Sequence, residues 1–268
     1  MLLRRIMEHV KAQNWTAIAI DFVIVVFGVF IGIQVSNWNE DRQNASRTQN
    51  YYSRLIDDLD SERRALHARL EYMAVTDRYG RSALAALKDP GAERTAQFLI
   101  DLYQASQIWT YSVQRATYDE ILSSGVAEAI PEPELRTHLA NVFLNAEATR
   151  QVIVATTPYR QQIRLYLPNS VQTAIRDNCG DRYIPTERNL LVLELPESCA
   201  IEFDRDQVGE AIEALNEYPL LERELVQRLA SIAVRRSAIQ AHLFLIDSLI
   251  EQLRTRLQVA QVFAFEPR

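Results

Sequence analysis

Two residues in this chain have an obvious reaction available to them. Cys179 and Cys199 are its only cysteines and stand twenty residues apart. In an oxidising compartment an isolated pair at this spacing reads as one structural disulfide, and the alternative is two unrelated buried thiols. Closing a loop of that size stabilises by about 3 kcal/mol in the chain-entropy description. The four histidines, His9, His67, His138 and His242, are scattered, with no ligand spacing to one another or to the cysteines, so neither a metal nor any other cofactor is expected.

Carboxylates and aromatics are the next candidates. Asp57, Asp58, Asp60 and Glu62 form an acidic run that reads as a solvated helix face and not as paired acid–base groups. Tyr51, Tyr52, Trp109, Tyr111 and Tyr118 could line a ligand pocket between helices, although core packing is the plainer reading. Arg115, close to Trp109 and Tyr118, could meet a carboxylate ligand or simply form an ion pair. There is no Gly-rich phosphate loop, no G-x-S-x-G and no H-E-x-x-H. No catalytic residue is assigned.

These groups must be carried by something, and composition says what. The chain has 268 residues, net charge -6 and 7 glycines. Glycine scarcity favours long helices over a many-turned β-fold. The acidity belongs to the part after Trp38, and no basic patch is interleaved with aromatics, which argues against nucleic acid as a partner.

The stretch TAIAIDFVIVVFGVFIGIQVSNWNEDR, residues 16–42, sets the placement of everything after it. From Trp15 to Trp38 a helix rises about 36 Å at 1.5 Å per residue, against about 30 Å of hydrocarbon. Trp15 and Trp38 bracket it as interfacial anchors. No small-x-small cleavage site precedes the polar region, and Asp21 spoils a signal-peptide core. Dense β-branched residues with Gly28 and Gly32 make a poor soluble helix. An uncleaved membrane anchor is therefore expected.

Arg4, Arg5 and Lys11 precede the span and are opposed only by Glu8, whereas Glu40 and Asp41 follow it beside Arg42. The positive-inside rule then gives a cytoplasmic tail over 1–14, an anchor over 15–38 and an outer domain over 39–268. In a bacterium this means an inner-membrane protein with most of its chain in the periplasm. Within the span, 100° per residue puts Ala17, Asp21, Gly28 and Gly32 on one stripe. Gly28-x-x-x-Gly32 is the spacing that lets two helix backbones touch, and an acid on that stripe would face a partner helix. Shallow placement of Asp21 near the headgroups is the competing explanation. Self-association into a homodimer or higher homo-oligomer is the expectation, alongside contact with lipid and with another envelope protein.

Asp21, Val25-Val26, Gly28, Gly32, then Gln34, Asn37, Trp38, Asn39 and Glu40 resemble the anchor of an uncharacterised bacterial family of single-pass membrane proteins. Thr117–Leu139, TYDEILSSGVAEAIPEPELRTHL, is similar to that family's second recurrent stretch. Members more often carry Glu at the position of Asp21 and Asn at that of Ser36. The resemblance implies topology and a helical fold but no activity.

The remaining chain reads as helices. Tyr52, Leu59, Leu66 and Met73 fall at sevens with Leu55, Ile56 and Leu70 between them, predicting a helix from the anchor to about Lys88. Asp89-Pro90-Gly91 is a turn. Helices are expected over 92–106 and 112–124, the latter ended by Gly125. Pro133 starts another, running to Leu167 with a kink at Pro158. From Leu220 to Ala260, Leu225, Leu229, Ile232, Ile239, Leu243, Ile246, Ile250, Leu253 and Leu257 form a three–four seam with Arg236 as its one polar exception. The anchor-proximal helix is the expected partner of that seam. Residues 178–204 interrupt the helical pattern. There 190–195 is branched and apolar between Pro185 and Pro196, suggesting a stapled loop or β-hairpin insertion.

The fold class is thus mainly all-α: a transmembrane helix, then an elongated helical bundle with a small disulfide-stapled insertion. The expected work is non-catalytic, namely binding, scaffolding or sensing through a partner. Alternatives are a small-ligand sensor ectodomain or an envelope enzyme with its site at the stapled loop.

Overall fold

The structure, a computed structural model, describes residues 15–125, 129–185 and 191–264, and the side chains of 20, 22–125, 129–185 and 191–259. Contacts divide it into two units, Met1–Tyr51 and Tyr52–Arg268. Helix α1 spans Trp15–Lys88. In the first unit, from Phe22 onward it is apolar enough to cross a membrane, with a mean hydropathy of 1.7 over 18 residues and none of that window buried.

The second unit is a helical bundle. After α1 come α2 (Ala96–Ala105), α3 (Ala116–Ser124), α4 (Pro133–Val154), α5 (Pro158–Tyr166) and α6 (Asn169–Cys179). A hairpin of β1 (Arg182–Pro185) and β2 (Leu191–Glu194) follows, then α7 (Arg205–Asn216) and α8 (Leu221–Ala264). The strands are antiparallel, with Tyr183 opposite Leu193 and Ile184 opposite Val192. Of the apolar run 190–195, β2 takes 191–194 and leaves out Leu195, while residue 190 lies outside the described residues.

The heptad on α1 is buried as expected: Tyr52, Leu55, Leu59, Leu66 and Met73 all face inward, and Tyr72, Val75, Tyr79 and Ala83 continue the wall. Those four pack with α2, α5, α6 and α7 in one apolar cluster that also takes in Cys179, Leu195 and Cys199. Three element boundaries differ from expectation. α2 begins at Ala96 after the extended Thr95, and α3 at Ala116 after Arg115 at φ -140° and ψ 19°, outside helical geometry. Pro158 is not a kink. It opens α5 at the first helical turn, after Ala155 has left the helix at ψ 133°. Pro133 opens α4 in the same way. Gly125 follows α3 at φ 105°, where a side chain would be strained.

α8 corrects a second expectation. Its closest backbone neighbours are α4 and α5, not α1. α1 meets it through side chains: Leu229 lies over Gly80, where an added Cβ would stand 2.8 Å from its methyl. Asp60 pairs with Arg254 at 3.2 Å and Arg63 with Asp247 at 3.3 Å. Arg236 is only half-buried, while Arg228, Arg235 and His242, spaced at sevens, are buried.

Candidate functional site: the groove at the stapled hairpin

Cys179 and Cys199 are joined, with their Cα atoms 5.7 Å apart. Cys179 ends α6 and both sulfurs lie in the core cluster, so the bridge roots the hairpin in packed apolar ground. Gln104 Nε2 donates to the Cys179 carbonyl at 2.6 Å, and Tyr79 Oη to the Pro196 carbonyl at 2.9 Å. The segment is held at both ends.

Between this hairpin and α1 runs a groove of about 410 Å³. α1 contributes Ala68, Glu71, Tyr72 and Val75, the i, i+3, i+4, i+7 face of a helix. The hairpin contributes Ile184, Val192, Leu193 and Glu194, and Leu195 and Glu197 follow. Floor and walls are aliphatic, Tyr72 being buried and Ile184 41% exposed. Three glutamates, Glu71, Glu194 and Glu197, line it, and among the described residues no basic side chain does. Arg78 approaches Glu197 from outside at 3.5 Å, across a highly exposed pair that contributes little. Tyr72 Oη donates to Asp181 at 2.8 Å. Burial raises the Asp181 carboxyl, with Tyr72 opposing, and burial followed by the Asp181 charge raises the Tyr72 phenol. The phenol therefore stays protonated and fixes the groove's floor. Among the described residues no serine, cysteine or histidine lines the groove, and its described surface is apolar and net anionic.

A smaller depression of about 260 Å³ lies beyond Glu197, formed with Tyr79, Ser82, Gln97, Asp101 and Cys199. Asp101 is buried, which raises its carboxyl. Gln97 Nε2 at 2.7 Å and the Ser82 hydroxyl donate to it and oppose the shift.

The acidic run on α1 is not uniformly solvated. Asp57 is exposed, but Asp58 accepts from the Thr117 amide at 3.0 Å and so serves the open N-terminus of α3. Glu62 is 2% exposed. It accepts from the Tyr111 hydroxyl, and from the Gln114 amide at 3.1 Å. Burial raises its carboxyl to about 7. Arg69, buried two turns further on, donates to the Thr110 carbonyl at 2.9 Å and lies 4.1 Å from the Trp109 ring centroid. Together these groups latch the segment between α2 and α3 onto α1.

The other aromatics are packed. Tyr118 stacks on Phe143 at 4.1 Å, Trp109 meets Tyr72 edge-on at 5.9 Å, and Tyr51 and Tyr52 are buried. Arg115 pairs with Asp119 at 2.7 Å. Gly28 and Gly32 have nothing within 4 Å of an added Cβ, and Trp38 is 65% exposed. The side chains of Trp15, Ala17 and Asp21 lie outside the described residues, as does the tail before the anchor. Among the described residues no group of three or more His, Cys, Asp or Glu side chains could hold a metal ion.

A polar ladder on α8 has no counterpart among the sequence expectations. Arg228 donates to the carbonyls of Ala105 (3.0 Å) and Gln107 (2.5 Å), closing the end of α2. Arg235 donates to those of Val152 and Ala155, closing the end of α4. His242 Nδ1 stands 3.0 Å from Asn145 Oδ1, within hydrogen-bond distance. The seven-residue spacing of the three was visible; that each meets a helix end or helix side chain was not.

No family model, curated protein or solved structure matches the chain.

Proposed function

We propose that this chain is a single-pass protein of the bacterial inner membrane, with its N-terminus in the cytoplasm and 39–268 in the periplasm. In this reading it is a non-catalytic receptor that binds at the hairpin groove and acts through a partner. The anchor is supported by an apolar helix whose described residues from Phe22 to Val35 are all exposed, and the orientation by the basic residues before it. The disulfide suits an oxidising compartment.

The observation that carries the reading is the groove itself: an apolar floor with three glutamates and, among the described residues, no cation in the lining. Its complement is a ligand with an apolar body and a positive charge.

The test is calorimetric titration of the full chain in lipid nanodiscs with 4-phenylbutylammonium, against 4-phenylbutanoate and against empty nanodiscs. Saturable binding of the ammonium alone is expected, weakened about tenfold, about 1.4 kcal/mol, by Glu71→Gln with Glu194→Gln. Equal binding of the carboxylate, or no binding of either, overturns it.

A further inference from the structure

The outward face of α8 carries no ionisable side chain for most of its length. At 100° per residue Val226, Ala230, Ala233, Ser237, Ala241 and Phe244 fall in an 80° band, and all six are exposed. Phe244 is 73% exposed, and Val234, at the edge of the band, 60%. The ionisable residues of that stretch lie elsewhere: Arg228, Arg235 and His242 are buried, and Arg236 is half-buried outside the band.

α4 lies antiparallel beside α8. Asn145 meets His242, Gln252 meets His138, and Val152 and Ala155 meet Arg235. The outward residues of α4 are Ala140, Leu144, Ala148 and Gln151, again exposed and uncharged, with Leu144 72% exposed. Two adjacent helices thus present one neutral, largely apolar face. α8 is apolar enough by composition to cross a membrane, yet only 33% of that window is buried.

We propose that this face is covered by a second copy of the chain, two α4–α8 pairs meeting about a two-fold axis as a four-helix interface. Charge argues for a copy. A chain of net charge -6 repels its like except where the meeting surfaces are neutral, and this face is neutral on both sides of a two-fold. Residue type argues against lipid. A helix lying on a membrane needs large apolar groups with a basic polar face, whereas the centre of this band is alanine and serine, which allow close helix approach. Area fits a weak contact that the shared membrane reinforces. From Val226 to Phe244 α8 rises about 27 Å and from Ala140 to Gln151 α4 rises about 17 Å, so at about 10 Å width the two give roughly 440 Å² per copy. The total of about 900 Å² is that of a small, transient-class interface.

The experiment places one cysteine at Ser237→Cys in the full chain, in native membranes, and treats it with a short bismaleimide. Arg64→Cys, exposed on α1, is the control. The expected result is a covalent homodimer at position 237, identified by mass spectrometry, with at least tenfold less at position 64. Adding Ala230→Asp and Phe244→Asp, both at exposed sites, should reduce the adduct at least tenfold while circular dichroism stays unchanged. Should the charges unfold the chain, Ala233→Leu with Ala241→Leu, which blocks close approach, should give the same loss. The adduct should survive Gly28→Ile with Gly32→Ile. The proposal is overturned by no homodimer at position 237, by an adduct with a different protein, or by quenching of a fluorophore at position 237 by lipid-phase quenchers. An adduct indifferent to the charged and leucine pairs, or abolished by the glycine pair, overturns it equally.

Discussion

Tyr111 donates its hydroxyl hydrogen bond to Glu62, forty-nine residues earlier, and so ties the segment between α2 and α3 to the middle of α1. The carboxyl group it holds is buried, and that burial governs how the group titrates.

Burial raises Glu62 from 4.5 to about 7. A carboxyl whose folded pKa is raised contributes stability that is full below its unfolded value and lost as pH rises through its folded value. The window is therefore about 4.5 to 7. Urea denaturation should show this group weakening the fold between pH 5 and pH 8 by at most about 3 kcal/mol, at about 1.4 kcal/mol per pKa unit. Glu62→Gln should flatten the profile. Asp101 and Asp181, also raised by burial, act in the same sense, so the informative quantity is the difference between the two slopes. Identical slopes would remove Glu62 from the account.

His242 acts in the opposite direction. Burial lowers it from 6.5 to about 4. A depressed histidine contributes stability that is present above its unfolded value and lost as pH falls through its folded one. Between pH 6.5 and 4 the protein should lose stability through this residue, and His242→Gln should lessen that acid loss. Denaturant midpoints at pH 4.5 and 7.0, compared between variant and parent, decide it.

Arg235→Met takes the donor from the carbonyls of Val152 and Ala155 at the end of α4. Losing this charged donor at the part-buried end of α4 should destabilise by about 1–3 kcal/mol. Arg115→Met, which removes a surface ion pair with Asp119 and a guanidinium 5.6 Å from the Tyr118 ring centroid, should change stability by less, about 0.5–1 kcal/mol. Chemical denaturation of both variants at neutral pH makes the comparison. Equal effects would contradict the role of Arg235 as a helix-end donor.

The Cys179–Cys199 bridge closes a separation of 20 residues. Unfolded but unreduced protein extracted from membranes should label with no thiol reagent, and reduction should lower stability by about 3 kcal/mol. Labelling before reduction would show the bridge unmade in the cell.

Alkaline phosphatase fused after Arg268 should be active, and a reporter that works only in the cytoplasm should be silent there. The basis is the placement of Arg4, Arg5 and Lys11 before the span. The reverse result would turn the topology over and withdraw the oxidising compartment from the reading of the disulfide.

Features that depend on residues close together along the chain were legible before any packing was known. The apolar stretch 22–33, the sevens of α1 and the three–four seam of α8 fix helices because the 3.6-residue turn brings i+3, i+4 and i+7 onto one face. Pro133 and Gly125 mark ends through local backbone geometry, and the cysteine pair could be read because it was the only pair. Packing between elements settled the rest. Glu62 looked solvated beside Asp57, since local pattern cannot say that the segment from Trp109 to Gln114 folds back over it. Arg228 and Arg235 went unremarked beside a seam whose one expected polar exception was Arg236, because their partners are helix-end carbonyls far away in sequence. The groove joins Glu71 to Glu194 and Glu197, more than a hundred residues apart, and α8 took α4 over α1 as its nearest neighbour. In each case burial and partner come from contacts distant along the chain, which local periodicity does not encode.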